Sequence, residues 1–327
     1  MNLILEPYQE EAVEWIVSRE RSALFTSVGL GKTATVLEAF KRLLGQNKVQ
    51  HMLVVAPLRV ARWTWPMEIA KWDNFSWMKT CQLRTNIHSA HVYLINYESL
   101  HKVPTKRFDM VVFDELTKLK NPKGKRFKAF MPLLQHIPYR VGLTGTPAAN
   151  SLEDLFGQVL ALDDGQRLGR SFYQFRQRWF RQVDYMGYKW EPKADAEQNL
   201  RDKLKGLALV QSSEDFSDVA DADVIDIDVP LTGEVADRYR ELQKEMLLEL
   251  GDQVVTAVNA AILVNKLLQY TGGHVYDEEG VAAHVHGEKL KALAKLVDPA
   301  SPLLVGVNYR SERDAIAEVI PGAEVWD

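Results

Sequence analysis

The chain has 327 residues, of which 46% are hydrophobic and 26% are charged, and its formal net charge is −4. This is the composition of a globular protein with enough chain for two or three hydrophobic cores, and it excludes a mostly disordered or membrane-embedded protein. The charge is unevenly divided, because residues 1–150 carry 21 Lys and Arg against 12 Asp and Glu, whereas residues 151–327 carry 19 against 32. The first part would therefore attract a polyanion.

The beginning of the chain and its cysteine content indicate the compartment. Residues 1–7 have no basic stretch followed by a long apolar run, so no secretory signal is visible. The single cysteine, Cys81, cannot form an intrachain disulfide and suits a reducing compartment. We expect a cytoplasmic or nucleoid-associated protein that is not secreted and has no membrane partner.

Short apolar segments alternate with helical patterns up to about residue 150. Alternation of this kind is typical of an α/β protein with a doubly wound parallel sheet. We therefore place a first α/β domain at residues 1–150. The predicted strands are 22–27, 51–56, 91–96, 109–114 and 139–145.

The pattern changes in the second half of the chain. Strand signals nearly vanish, and the apolar spacing predicts a helical region at residues 151–285. Alternation resumes with a helix at 288–297, a strand at 302–308 and a helix at 311–319, so we expect a second α/β lobe to start at residues 286–327. The helices predicted in the middle region are 171–183, 197–208, 232–250 and 253–270.

A glycine-rich run lies between the first apolar strand and an amphipathic helix, and it reads Gly29-Leu30-Gly31-Lys32-Thr33. Glycines let backbone N–H groups converge on phosphates at a helix N-terminus, whose dipole favours negative charge. Lys32 would neutralise the β- and γ-phosphates of a nucleotide, and Thr33 would ligate the Mg²⁺ that bridges them. The run predicts an ATP or GTP site, although Thr26 replaces a glycine of the strict pattern. The alternative is a glycine turn that caps an ordinary helix.

A second acidic element follows the apolar strand at 109–114. Asp114 and Glu115 stand at its carboxyl end, where a parallel strand would deliver them beside the glycine-rich run. Asp114 could hold Mg²⁺, and Glu115 could polarise an attacking water. An acidic pair after a strand is also common at a solvated strand end, but the two motifs predict each other.

A basic segment comes directly after this acidic pair, at residues 118–128. Such a run is usually a solvated loop, but its place beside the predicted nucleotide site suits contact with nucleic acid. We expect its lysines to bind the phosphate backbone of DNA. The candidate residues are Lys118, Lys120, Lys123 and Lys125.

Further strings occur in a fixed order around these motifs: Leu5-Glu6-Pro7-Tyr8-Gln9, Ala56-Pro57-Leu58-Arg59, Ile95-Asn96-Tyr97-Glu98 and Leu143-Thr144-Gly145-Thr146-Pro147. Together with the glycine-rich run and the acidic pair, the series resembles superfamily-two helicases. The resemblance is strongest to the SWI/SNF-type DNA translocases, and it extends over essentially the whole chain. It implies a RecA-like P-loop NTPase sheet, a helical protrusion region and the start of a second RecA-like lobe.

The resemblance also implies roles for single residues. Gln9 would bond the adenine edge and select ATP, while Arg59 and Asn96 would touch the backbone of double-stranded DNA. The hydroxyl-rich turn after the last strand of the first domain would sense the γ-phosphate and couple it to DNA contact. The residues of that turn are Thr144, Gly145 and Thr146.

The chain departs from the family pattern at specific places. Thr117 stands where the family has a histidine that links the ATP site to the rest of the cleft. Residues 212–228 are acidic where the family has a basic Arg-Arg-x-Lys string. The family's motifs V and VI, which bring a glycine-rich DNA loop and the arginine fingers, lie beyond the last matching motif. We therefore expect this chain to bind ATP but to hydrolyse it weakly, until a further C-terminal segment or a protein partner completes the cleft.

Three functions agree with the sequence. The first is an ATPase that moves along duplex DNA without necessarily separating its strands. The second is a strand-separating helicase, or the motor of a restriction or repair complex, which would need wedge aromatics that the sequence does not reveal. The third is a non-catalytic, ATP-gated DNA-binding module. Unwinding of a tailed duplex would distinguish the second from the first, and a following segment with a glycine-rich loop and paired arginines would exclude the third.

Overall fold

The computed structural model describes residues 1–83, 89–103, 108–148, 150–186, 188–216, 223–249 and 257–325. In chain order its strands are β1 Arg21–Thr26, β2 Met52–Ala56, β3 Thr80–Gln82, β4 Val92–Asn96, β5 Met110–Asp114, β6 Tyr139–Thr144, β7 Phe180–Gln182, β8 Trp190–Pro192, β9 Ala208–Gln211, β10 His274–Tyr276 and β11 Ala282–His284. The α-helices are α1 Pro7–Val17, α2 Lys32–Gly45, α3 Trp65–Lys71, α4 Lys125–Leu134, α5 Asp154–Asp163, α6 Phe172–Trp179, α7 Ala196–Leu204, α8 Gly233–Glu249, α9 Ala257–Thr271, α10 Glu288–Leu296 and α11 Arg310–Val319.

Parallel strands form the centre of the fold. Over the described ranges, seven of them make one sheet in the order β3-β4-β2-β5-β6-β1-β9. The strands β2 and β5 are continuous apolar runs, because helices cover both faces of the sheet. The predicted α/β class and the predicted strands of the first domain are confirmed.

The sheet separates two hydrophobic cores, since successive side chains of a strand point to opposite faces. Val54 of β2 packs in the core that α1, α2 and α3 cover, together with Phe40 and the fully buried Trp65. Val55 points into the other core, where Phe156 of α5 and Phe175 of α6 pack. Burial on both faces fixes the register of the strands, and thereby the positions of the polar residues at their ends.

The chain divides into two compact units, residues 1–220 and residues 221–327, called unit 1 and unit 2 below. Unit 1 extends beyond the predicted limit at residue 150, because β9 lies beside β1 and helices α5 to α7 pack on the same core. The helix predicted at 171–183 ends at Trp179, and the residues that follow pair with β8 in an antiparallel hairpin.

Strands β3 and β9 were missed by the sequence analysis. They are three and four residues long and occupy the two edges of the sheet. Only one side chain in each is buried, so neither shows the continuous apolar run of the central strands. The hydrogen bonds of a neighbouring strand, rather than a local pattern, define them.

Unit 2 contains α8 to α11 and the β10–β11 hairpin. The Tyr270 hydroxyl donates to the carbonyl oxygen of Val235 (3.0 Å), and the Tyr309 hydroxyl donates to Asn265 Oδ1 (2.7 Å). The predicted strand at 302–308 is wrong: this segment pairs with no described strand, and Leu304 is 96% exposed. The two helices predicted on either side of it are confirmed as α10 and α11. No described helix has both the length and the apolar character needed to span a membrane.

Candidate nucleotide-binding site

The carboxyl ends of three neighbouring strands bring the predicted site residues of unit 1 to one edge of the sheet. Phe25 of β1 pairs with Thr144 of β6, and Asp114 of β5 pairs with Leu143 of β6. The glycine-rich run, the acidic pair and the hydroxyl-rich turn therefore follow strands that are adjacent in the order β5-β6-β1. In open parallel sheets this edge is where ligands bind.

The glycine-rich run adopts the backbone that its glycines permit. Gly29 and Gly31 have positive φ angles of 91° and 74°, which disfavour residues with a side chain. A Cβ atom on Gly31 would overlap the Gln9 side-chain amide. Gly31 caps α2, which begins at Lys32, so the free N–H groups of the first helical turn face the end of the loop. Thr33 lies in that first turn and is half-buried.

Lys32 is folded against the loop that precedes it. Its Nζ donates to the carbonyl oxygens of Thr26 (2.7 Å) and Ser27 (2.8 Å). The pKa of the Lys32 ammonium is lowered, because the effect of burial exceeds the opposite effect of the negative charges of Asp114 and Glu115. This is a cation held in place by neutral carbonyls beside two carboxylates, and a phosphate is a stronger partner for it than those carbonyls.

Asp114 lies at the buried end of β5. Its Oδ2 accepts a hydrogen bond from the indole Nε1 of Trp65 (2.9 Å). Burial raises the pKa of the Asp114 carboxyl, while the Trp65 bond and the Lys32 charge lower it. A partly desolvated carboxylate of this kind attracts a cation strongly.

Glu115 has a positive φ of 63°, which is strained for a residue with a side chain. The Tyr97 hydroxyl donates to the carbonyl oxygens of Asp114 (2.9 Å) and Glu115 (3.2 Å) and holds this backbone. The Thr117 hydroxyl donates to Glu115 Oε1. Thr117, which the sequence analysis noted only as a missing histidine, thus orients the carboxylate predicted to polarise water.

The hydroxyl-rich turn lies beside the end of β1, which leads into the glycine-rich run. Thr144 is buried, and its Oγ1 accepts from the backbone N–H of Thr146 (3.2 Å). Gly145 lies so near the start of the loop that a Cβ there would stand 3.6 Å from the carbonyl oxygen of Thr26. The predicted role of this turn as a γ-phosphate sensor stays a prediction.

Gln9 joins the beginning of α1 to the glycine-rich run. Its Oε1 accepts from the backbone N–H of Glu6 (3.0 Å), and its Nε2 donates to the carbonyl oxygen of Leu30 (3.2 Å). The amide is therefore next to the loop, where a base-contacting residue is needed. Its predicted contact with adenine stays a prediction.

Gln211, at the end of β9, is a residue of this edge that sequence reasoning missed. Its Nε2 donates to the carbonyl oxygen of Tyr8 (2.9 Å), and its Oε1 accepts from the Thr26 hydroxyl (3.4 Å). The backbone N–H of Ser213 donates to Ser27 Oγ (3.1 Å), and Phe216 stacks on Tyr8. Gln211 thus links the first turn of α1 to the end of β1, just before the glycine-rich run. The sequence feature that could have indicated Gln211 is Thr26, because the Thr26 hydroxyl is the hydrogen-bond partner of Gln211 Oε1.

Two of the residues predicted to bind DNA follow strands whose carboxyl ends lie at the same edge of the sheet as Asp114. Arg59 follows β2 and is exposed, and Asn96 ends β4 opposite Ala56 of β2. The Asn96 amide donates to Glu98 Oε2 (2.8 Å). In the basic segment Lys120 pairs with Asp154 (3.3 Å). The exposed lysines there are Lys118, Lys123, Lys125 and Lys128.

The site has the donor set that a Mg-nucleotide needs. Mg²⁺ binds proteins through one or two oxygen side chains and otherwise keeps water and phosphate oxygens, which suits Thr33 and Asp114. Within the described ranges, no cluster of three or more His, Cys, Asp and Glu is placed to hold a metal ion by itself.

A parallel sheet with a glycine-rich loop that opens into a helix, beside a buried acidic strand end, defines a RecA-like P-loop NTPase lobe. The sequence profile of the SNF2-related domain matches residues 8–270, and the chain belongs to this SWI/SNF-type family of helicase-like ATPases. Protein p41 of Acyrthosiphon pisum secondary endosymbiont phage 1 is 31% identical over 98% of this chain and 75% of its own length.

Other relatives match part of the chain. The SWI/SNF-related matrix-associated actin-dependent regulator of chromatin subfamily A-like protein 1 of Xenopus tropicalis is 32% identical over 48% of this chain and 17% of its own length. Among solved structures, the Sulfolobus solfataricus SWI2/SNF2 ATPase core in complex with dsDNA has a TM-score of 0.57 at 23% identity. That match covers 84% of this chain and 59% of the archaeal chain, and it shows the shared fold.

Proposed function

We propose that this protein is an ATPase that uses Mg²⁺-bound ATP to move along duplex DNA. The observation that carries the proposal is the meeting of Lys32, Asp114 and Thr144 at the carboxyl edge of β1, β5 and β6. Family membership supports nucleotide use, and the archaeal relative of known structure was solved with double-stranded DNA.

Each residue of the edge has a chemical task in this proposal. Lys32 exchanges its carbonyl partners for the β- and γ-phosphates, and Gly29 and Gly31 leave the loop N–H groups free to bind them. Thr33 and Asp114 would hold Mg²⁺, which when bound neutralises charge on the phosphates. Glu115, oriented by Thr117, positions and polarises the attacking water.

Release of the γ-phosphate would change the contacts of the hydroxyl-rich turn at residues 144–146. This turn lies beside Thr26 and Val28, which precede the glycine-rich run, and it continues into the segment before α5. Arg59, Asn96 and the exposed lysines of the basic segment would grip the DNA backbone on the same side. Backbone contact carries little sequence preference and a steep dependence on salt.

We also propose that this chain hydrolyses ATP slowly when it is alone. The chain spans 59% of the length of the archaeal ATPase core that it matches. An arginine that contacts the transferred phosphoryl group raises the rate of such reactions by several orders of magnitude. We propose that a further segment or a protein partner supplies this group and completes the ATP cleft.

The test is steady-state ATP hydrolysis with and without duplex DNA, together with direct binding of ATP. Lys32→Ala should reduce hydrolysis on the order of a hundredfold, because it removes a positioned charge from the phosphates. Lys48→Ala is the matched control, since Lys48 is an exposed lysine beyond the other end of α2.

The outcomes separate the candidate functions. Hydrolysis that DNA stimulates and Lys32→Ala abolishes supports the DNA-dependent ATPase, and movement is then measured by displacement of a triplex-forming strand from duplex DNA. ATP binding without turnover in the presence of DNA agrees with a cleft that a further segment or partner must complete. If turnover stays absent when that group is supplied, the ATP-gated binding module is favoured instead. Absence of ATP binding would overturn the proposal.

A further inference from the structure

The β7–β8 hairpin of unit 1 exposes large apolar side chains at its tip. Tyr185 is 99% exposed, Met186 is 69% exposed and Tyr188 is 79% exposed. Single exposed apolar residues are common on protein surfaces, but a cluster at the end of a projecting hairpin indicates a contact surface.

Hydrogen bonds join the described residues on the two sides of the hairpin near its tip. The Asp184 carboxylate accepts from the backbone N–H groups of Tyr188 (3.1 Å) and Lys189 (2.8 Å). The backbone N–H of Val183 donates to the carbonyl oxygen of Lys189 (3.0 Å), and the Gln182 amide donates to that of Asp184 (2.6 Å). Tyr185 and Tyr188 are therefore next to backbone segments that hydrogen bonds fix to each other, which reduces the entropy that binding costs.

The base of the hairpin is anchored in the fold. Phe180 is buried in the core, and the Arg176 guanidinium lies over the rings of Phe172 (4.8 Å) and Trp190 (5.4 Å). Arg176 also forms a two-bond ion pair with Glu153, each bond 2.8 Å long. Glu153 comes shortly after the hydroxyl-rich turn of the nucleotide site, so the hairpin is fixed to the segment that follows that turn.

Basic residues outnumber acidic ones in the hairpin and the end of α6, where Arg181 pairs with Glu191 (3.0 Å), although residues 151–327 as a whole are acidic. Residues 176–193 carry five Lys and Arg against two Asp and Glu. A basic stem with exposed tyrosines at its end suits a polyanion that also offers flat π faces. That combination is found in nucleic acids, whose bases stack on aromatic side chains. The basic residues are Arg176, Arg178, Arg181, Lys189 and Lys193.

We propose that Tyr185 and Tyr188 stack on the bases exposed where a DNA duplex opens into single strands. The inference rests on the proposed function and specifies its substrate as a duplex with a junction. Base faces are covered inside a continuous duplex and become accessible at a fork. The basic stem would hold the phosphates beside the fork while the tip covers the last base pair.

The experiment uses the full chain without nucleotide, at one fixed salt concentration. Its binding to a forked duplex and to a blunt duplex of equal length is measured by fluorescence anisotropy, with 2-aminopurine at the first unpaired position of the fork as a stacking probe. The variant is Y185A/Y188A. Tyr173→Ala is the matched control, because Tyr173 is 64% exposed on α6 and lies outside the hairpin.

We expect the wild type to prefer the fork and to change the 2-aminopurine emission. Y185A/Y188A should lose about tenfold in affinity for the fork, lose the emission change, and keep its affinity for the blunt duplex within about twofold. Tyr173→Ala should behave as the wild type. Both substitutions replace exposed side chains, so an unchanged melting temperature should accompany them.

Other outcomes overturn the inference in distinguishable ways. If the wild type binds blunt and forked DNA equally, or if the double variant retains fork binding, the hairpin inference fails while the proposed function stands. A self-association of the wild type that the double variant abolishes, with fork binding unchanged, would assign the tip to a protein contact instead. If the wild type binds neither DNA, the proposed function fails together with the inference.

Discussion

The indole Nε1 of Trp65 donates a 2.9 Å hydrogen bond to Oδ2 of Asp114, across 49 positions of sequence. Trp65 is fully buried on α3, and Asp114 ends β5 beside the glycine-rich run. The bond fixes a carboxylate that burial makes costly to ionise, since burial raises its pKa. Unit 1 therefore stores a partly desolvated negative charge at the position predicted to hold Mg²⁺.

Asp114→Asn should stabilise the protein at neutral pH, while removing Mg²⁺-dependent hydrolysis. A carboxyl whose pKa is raised on folding costs stability as the pH rises from its unfolded value through its folded value, and the cost is fully present above both. The gain in melting temperature should therefore be largest at neutral pH and should vanish at a pH below the unfolded value. Asn keeps a carbonyl oxygen that can accept the Trp65 bond.

Thermal unfolding monitored by circular dichroism at several pH values tests this prediction. Glu20→Gln serves as the control, since Glu20 is an exposed carboxylate of unit 1. A gain of equal size at every pH would contradict the explanation by pKa.

Thr117→Ala should lower the turnover of ATP about tenfold with little change in ATP affinity. The substitution removes the hydroxyl that orients Glu115, whereas the phosphate-binding groups stay in place. Thr117→Ser restores the hydroxyl and should recover most of the activity. The measurement is the split between kcat and KM, and a rise in KM at constant kcat would show that Thr117 acts on binding instead.

Gln211→Leu should weaken ATP binding several-fold and lower the free energy of unfolding by about 1–2 kcal/mol. It removes the bond that the Thr26 hydroxyl donates to Gln211 Oε1 and the bond that Gln211 Nε2 donates to the Tyr8 carbonyl oxygen. One buried donor and one acceptor thereby lose these partners. Val210→Ala is the matched control, because Val210 precedes it on β9 and is 70% exposed. Equal ATP affinity in all three proteins, measured by calorimetry, would show that the bridge does not shape the loop.

Arg140→Met should destabilise unit 1 by about 3 kcal/mol. The buried guanidinium donates to the carbonyl oxygens of Leu134 (2.6 Å) and Ile137 (3.1 Å) and to Asp164 Oδ1 (2.8 Å). Met fills a similar volume but leaves these acceptors without their donor. Urea unfolding measures the loss, and Arg201→Met, which removes an exposed ion pair on α7, should change stability by less than about 1 kcal/mol.

Arg140 also makes the stability of unit 1 depend on pH in the acidic range. Burial of Asp164 acts in the opposite direction, but the hydrogen bond and charge of Arg140, with the charge of Arg21, lower the pKa of the Asp164 carboxyl. Its contribution to stability is present above the unfolded pKa and is lost as the pH falls through the lower folded pKa. The acid-induced loss of stability should therefore be smaller in Arg140→Met than in the wild type.

Local sequence was enough to predict the structure of segments in which one residue pattern continues without interruption. The apolar runs of β2 and β5 predicted buried strands because both faces of the sheet are covered. The glycine-rich run predicted a tight loop before a helix, and Gly29 and Gly31 form it with positive φ angles that glycine adopts without strain. By contrast, the segment at 302–308 has the apolar pattern of a strand and pairs with no described strand.

What the sequence by itself determined is the class of protein: a parallel α/β sheet, a P-loop at Gly29–Thr33, an acidic strand end and the order of motifs that marks the SNF2-type family. Each of these features depends on residue types that stand close together in the sequence, so the local backbone geometry is enough to produce it. Only the tertiary structure decided which distant residues complete the site. Trp65 reaches Asp114, Gln211 reaches Thr26, and the tyrosines at 185 and 188 are exposed together, because packing of helices and sheet edges joins positions that no local pattern relates.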